Sequence, residues 1–183
     1  MSDIAQEFID LSRRFLLKEY LRKIERCVDE LPDEDLWWRP NDVSNSVGNL
    51  LLHLAGNVRQ WIVHGVGGRP DTRQRQQEFD ERGPIPAPVL LARLREALDE
   101  ADGVLADFDP ADLSHRLHVQ GLEVTAMEAI YHVVEHFSTH VGQIIYLTKL
   151  STGRDLRFYA MNADGSVRRG WLGEPQEGDR ESR

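Results

Sequence analysis

The sequence predicts an all-α protein, a bundle of four helices, and three observations predict it. Four stretches, over 3–30, 44–64, 87–107 and 125–150, repeat apolar residues every three to four positions, the period of a helix with one buried face. The segments between them are rich in Pro, Gly and charge, which punctuate helices. The last stretch holds His132, His136 and His140 at a spacing of four, with no Gly or Pro before Gly142. Four residues turn a helix by roughly 40° beyond a full circle, so the three imidazoles leave from one side.

In the first helix Ile4, Phe8, Leu11, Phe15, Tyr20, Ile24 and Val28 form the stripe; Ser2 or Asp3 can cap its start and Pro32 ends it. Residues 31–43 connect it to the second, and there Trp37 and Trp38 either cap the core or, in the case of Trp37, wall a pocket. The second helix takes Ser44, Asn45 or Ser46 as its N-cap and carries Val47, Leu50, Leu51, Leu54, Val58, Trp61 and Ile62. His53 lies at the edge of this stripe, with Asn49 and Asn57 one turn to either side; His64 falls at the end, where it meets the last carbonyls.

Residues 65–85 are long for a simple helical hairpin and suit a crossing over the bundle. Arg69, Arg73, Arg75 and Arg82 cluster there. They either pair with Glu78, Asp80 and Glu81 in a solvated loop or, through Arg69, Arg73 and Arg75, capture a substrate carboxylate. The third helix carries Val89, Leu90, Leu94, Leu98, Val104 and Leu105, with Pro86 and Pro88 in a position suited to a first turn. His115 and His118 sit in a polar connection that can turn back as a short hairpin at Gly121. Thr125 and Glu128 form a capping box that opens the fourth helix, and Ser151, Thr152 and Gly153 stop it. Residues 1–150 thus form the bundle. Residues 151–183 form an extension without periodicity, ending in a disorder-like tail over 173–183.

Composition removes several classes of function. The 183 residues suit one domain, and 40% are hydrophobic, enough for a core. A net charge of −9, from 22 basic and 31 acidic residues, opposes nucleic-acid and anionic-membrane partners. Cys27 is the single cysteine, so no intrachain disulfide forms and a reducing compartment follows. The N-terminus lacks the basic and apolar regions of a signal peptide, and no apolar run is long enough to span a bilayer, so a cytoplasmic protein is expected.

Histidines one helical turn apart can share one metal ion, because their side chains reach a common ligand sphere. With His132 at 0°, His136 falls at about 40° and His140 at about 80°, while Ile130, Val133, Phe137, Val141 and Ile144 cluster near roughly 150°. His140 is then nearest the core and His132 points most toward water, which favours His136 and His140 as the pair. Two histidines need a third group, and His53 is the other histidine set in a strongly apolar helical pattern.

The run HVVEHFSTHVGQI, with NSVGNLLLHLAGNVRQW about eighty positions earlier, resembles the DinB/YfiT-like superfamily of metalloenzymes over roughly residues 1–150. That resemblance implies an up-down-down-up four-helix bundle with a three-histidine site, commonly holding nickel or zinc; carried onto this chain, the ligands are His53, His136 and His140. The depths of the ligands test the topology. His53 lies about 14 Å into its helix and His140 about 15 Å from the end of its own, so they meet if the second and fourth helices are antiparallel, and miss by about 10 Å if parallel.

Three neutral imidazoles would leave a divalent ion an open position, where a water or thiol loses its proton near neutral pH. The resemblance therefore implies a metal-dependent enzyme, a transferase or isomerase using a low-molecular-weight thiol on a small-molecule substrate. Metal-assisted hydrolysis and a non-catalytic, stress-related metal-binding bundle are the alternatives. Asn57, Gln143 and His132 are the candidate outer groups, no acid occupies an evident general-base position, and a homodimer is the expected assembly.

Overall fold

The computed structural model describes residues 4–169. The cap expected at Ser2 or Asp3 and the tail expected over 173–183 lie outside the described residues. The chain is mainly helical, with two small hairpins. The first bundle helix runs Ile4–Arg14, widens into a π-helical stretch Phe15–Tyr20 and continues as Leu21–Asp29. The second begins as Val47–Val58 and widens into a π-helical stretch Arg59–Val66. The third is Ala87–Asp107 and the fourth Ala126–Thr152.

Their ends follow local chemistry. Of the three candidate caps on the second helix, Ser46 is used: its hydroxyl accepts from the Asn49 amide at 3.2 Å, and Asn49 Oδ1 accepts in return from the Ser46 amide at 3.2 Å. Thr125 and Glu128 close the same box on the fourth helix. That helix stops at Gly153, whose φ of 67° is the left-handed conformation that glycine adopts without a Cβ penalty. Arg116–Val119 and Leu122–Thr125 pair as the hairpin expected around Gly121, through a two-residue turn in which Gln120 and Gly121 have φ of 52° and 80°.

Side-chain pairs set the helix directions. Arg13 meets Asp102 and Glu25 meets Arg95, so the first and third helices are antiparallel. Arg59 meets Glu96 and Glu100, and Gly67 faces Val104, so the second and third are parallel. Tyr20 stacks on Phe137 and Glu30 pairs with Arg154, so the first and fourth are parallel. His53 contacts His136 and His140 while Trp61 contacts His132, so the second and fourth are antiparallel. Together these contacts give the up-down-down-up order in which the depths of His53 and His140 agree.

The stripes meet in one core, where Ile9, Leu16, Ile24, Leu50, Leu54, Ile62, Leu94, Leu98, Ile130, Val133 and Phe137 are all buried. Each such side chain contributes about 1.5–3 kcal/mol on burial. Leu156 and Phe158, beyond the fourth helix, are buried in the same core. They lead into a second hairpin, Tyr159–Met161 with Val167–Arg169. No helix among the described residues is long and apolar enough to cross a membrane.

The long crossing contains a short helix, Arg75–Asp80, which the charged sequence did not announce. Asn49, fully buried on the second helix, holds it down by donating through Nδ2 to the carbonyls of Glu78 at 2.8 Å and Glu81 at 3.0 Å. Trp37 braces the far end. Its indole donates to the Ile85 carbonyl at 3.3 Å, and it packs so closely on Gly48 and Gly83 that a Cβ there would lie 2.9 Å and 2.6 Å from its ring.

Candidate metal centre

Antiparallel packing brings His53 against the histidine side of the fourth helix. The nearest ring nitrogens of His53, His136 and His140 all lie within 4.8 Å of one another. Ring centroids are 4.9 Å apart for His53 and His136, 5.0 Å for His53 and His140 and 4.4 Å for His136 and His140, each pair edge to face. The Nε2 atoms of His53 and His136 face each other at 2.9 Å.

The groups behind the rings decide which nitrogens carry protons. His140 Nδ1 lies 2.7 Å from Gln143 Oε1, an acceptor, so Nδ1 donates and Nε2 keeps its lone pair. His53 Nδ1 lies 2.9 Å from Glu78 Oε2 and 3.1 Å from Arg73 Nη2. Arg73 Nη2 already donates to Glu78 Oε2 at 2.8 Å and to the His53 carbonyl at 3.5 Å. A bare Nδ1 lone pair against a carboxylate would be repelled, so Nδ1–H donates to Glu78 and Nε2 of His53 is left with its lone pair.

Charges are tuned accordingly. Burial, reinforced by the neighbouring His140, His53 and His132 rings, pushes His136 down to about 3. Burial lowers His140 and His132 as well. At neutral pH these three rings are therefore uncharged, the form that binds metal. Burial alone would raise the Glu78 carboxyl, but hydrogen bonds from Arg73 and His53 outweigh it and hold Glu78 below the usual carboxylate range.

His132 differs from the expectation. It does not point to water: its ring packs on Trp61, centroids 4.0 Å apart, and its Nε2 lies 3.3 Å from Asn57 Nδ2. The apolar stripe placed it at the exposed edge of its own helix, but the second helix supplies the cover. Asn57 therefore serves His132 and not one of the three clustered rings. Asn57 Oδ1 and Trp61 Nε1 are buried polar atoms with no hydrogen-bond partner among the described residues. Gln143 does back a clustered ring, while Trp37 is used in the brace described above.

The arginines also separate. Arg73 is sequestered: its side chain is 3% exposed, Nε donates to Glu78 Oε1 at 2.7 Å and Nη1 to Gln60 Oε1 at 2.9 Å. It already holds a carboxylate of its own chain. Arg75 lies over the Phe79 ring at 4.8 Å, and Phe79 in turn packs on His53 with centroids 4.7 Å apart. Arg69 is exposed, and its carbonyl accepts from His64 Nδ1 at 2.6 Å, just past the helix end where His64 was expected to act.

Glu78 is the group that the sequence alone did not place at the site. The available signal was Gly56, a glycine inside the second helix three residues after His53. A Cβ there would overlap Glu78 Oε1 and lie 2.9 Å from Arg73 Nε, so glycine admits the pair to the ring.

No curated protein matches the chain. The crystal structure of a conserved protein from Enterococcus faecalis is similar in fold, with a TM-score of 0.60 at 15% identity, covering 82% of this chain and 96% of that one. A family profile described as "Protein of unknown function (DUF1572)" matches residues 3–164, and on that extent the chain belongs to the DUF1572 family.

Proposed function

We propose that this protein binds a divalent metal ion through His53, His136 and His140, and that the ion serves chemistry at an open position. The observation that carries this reading is the convergence of three imidazoles within 4.8 Å. Two of them, His53 and His140, have Nδ1 tied to an acceptor and Nε2 left with its lone pair. The donor set fits a borderline ion such as zinc or nickel. Among the described residues no fourth His, Cys, Asp or Glu joins the group, which is the arrangement of a catalytic rather than a closed structural site.

When bound, the ion would supply a Lewis-acidic position at which a thiol or water ionises near neutral pH. The chain's own residues would hold His136 and His140 uncharged and aim His53 and His140, and Phe79 would keep water from one side of His53. By the DinB-like resemblance we extend the reading to transfer or isomerisation with a low-molecular-weight thiol on a small-molecule substrate.

Metal analysis of purified, untagged protein tests the centre. Stoichiometric metal is expected in wild type and in His132→Ala, and its loss in His53→Ala, His136→Ala and His140→Ala. Equal loss in His132→Ala would refute the assignment of the three ligands. The chemistry is tested by the rate at which metal-loaded protein conjugates small thiols to an electrophilic dye. Equal rates for wild type and His136→Ala with every thiol would remove the transferase reading and leave the metal centre standing.

A further inference from the structure

The crossing between the second and third helices delivers a largely covered ion pair to the back of one ring. Glu78 accepts from Arg73 through both oxygens, at 2.7 Å and 2.8 Å, in the two-pronged geometry that fixes a carboxylate most firmly. Arg73 is anchored in turn by Gln60, whose Nε2 donates to Asp71 Oδ2 at 2.8 Å. The backbone at Glu78 is pinned from below by Asn49. A solvated loop pair would need none of this.

We propose that Glu78 is a positioning residue for the metal centre: it fixes the tautomer and orientation of His53, and Arg73 holds it in that role. The inference rests on the metal reading above and adds to it a residue outside the ligand set. A carboxylate behind a ligating imidazole makes the ring a better donor and stops it turning. Arg73 has a second consequence. By engaging both oxygens of Glu78 it keeps the carboxylate behind the ring, facing Nδ1, and away from the side where Nε2 of His53 meets His136. The guanidinium also cancels the carboxylate's charge, so the centre keeps the full charge of its ion and favours an anionic group at the open position.

Titration of the full-length protein with cobalt(II) tests this. The dissociation constant is read by competition with a chromophoric chelator and the geometry by the visible absorption of the bound ion. Glu78→Ala is expected to weaken binding by about 10–100-fold and to broaden the cobalt bands. Glu78→Gln, which keeps an oxygen able to accept from Nδ1–H, should lose less but more than about threefold; it decides the question if Glu78→Ala fails to fold. Asp102→Asn breaks the Arg13–Asp102 pair between the first and third helices and reports the effect of lost stability alone; its affinity should match wild type. Wild type that binds no cobalt would overturn both the metal reading and this inference. Wild type that binds while both Glu78 variants bind equally well would overturn the inference alone, as would Asp102→Asn losing as much affinity as Glu78→Ala.

Discussion

His53 is held between two demands, a lone pair facing the other imidazoles and a proton facing Glu78, and the smallest residue nearby makes both possible. Gly56 sits where any Cβ would collide with Glu78. In an ordinary helix interior, Gly→Ala gains about 0.5–1 kcal/mol. Here the carboxylate cannot retreat, because Arg73 holds both of its oxygens, and overpacking costs about 1–3 kcal/mol. Gly56→Ala should therefore lower the melting temperature and the metal affinity together. Gly103, also inside a helix but with nothing within 4 Å of the place a methyl group would take, should show the opposite sign: Gly103→Ala should raise the melting temperature. Thermal unfolding of the two variants side by side checks the argument. Cys27 gives a second prediction at this scale. It is fully buried, and desolvation pushes its thiol up to about 12, so the thiolate that reacts with reagents is all but absent. A disulfide reagent at pH 8 should leave Cys27 untouched in native protein and titrate one thiol in denaturant; rapid native labelling would show that the surrounding core opens.

At the scale of elements, what was legible in the sequence is what local chemistry decides. The third helix, the Thr125–Glu128 box, the glycine stop at 153 and the turn at Gly121 all follow from residues within a few positions of one another. The π-helical stretches were not legible, because one extra residue in a turn leaves an apolar stripe nearly in register. Nor was the short helix Arg75–Asp80, which is held by Asn49 from another element and has no buried residue of its own. Glu78 was hidden for the same reason: a Glu among arginines in a polar stretch reads as a solvated pair, and only the fold reveals that the pair is covered. Asn49 then becomes the element-scale test. Its Nδ2 faces two carbonyls, while its Oδ1 accepts from Ser46 and Arg39. Asn49→Asp keeps the acceptor and loses both donors, leaving carboxylate oxygens against carbonyls, at a cost of about 1–3 kcal/mol for each unsatisfied group. The crossing should come loose while the bundle stays helical. Limited proteolysis should cut the variant within 69–82 and spare wild type; equal resistance would show that Asn49 does not hold the crossing.

For the whole molecule, the core is complete without an ion, so chelation should leave it helical, and excess ion should raise the melting temperature through linkage. The histidines make the stability of the metal-free protein depend on pH, and the sign can be worked out. In the unfolded chain a histidine titrates near 6.5. In the fold, burial first and neighbouring rings second bring His136 down to about 3, with His132 and His140 also lowered. Above pH 7.5 neither state binds these protons and the rings contribute no slope. As pH falls below about 6.5 the unfolded state takes these protons up, while in the fold His136 does so only near 3 and His132 and His140 only below their ordinary range, so stability falls as pH falls. Each group can contribute at most about 1.4 kcal/mol per pH unit, and these partly exposed rings contribute less because solvent screens them. Carboxylates held low, such as Glu78, act only below their ordinary range near 4, so they do not explain a loss that begins at pH 6.5. The urea midpoint of chelator-treated protein should thus be flat from pH 8 to 7 and decline from 6.5 to 5. In His136→Ala the decline should be shallower, because the most depressed ring is gone. An unchanged decline in that variant would mean that His136 is protonated in the folded protein, which would remove the neutral-ligand argument for the centre as well.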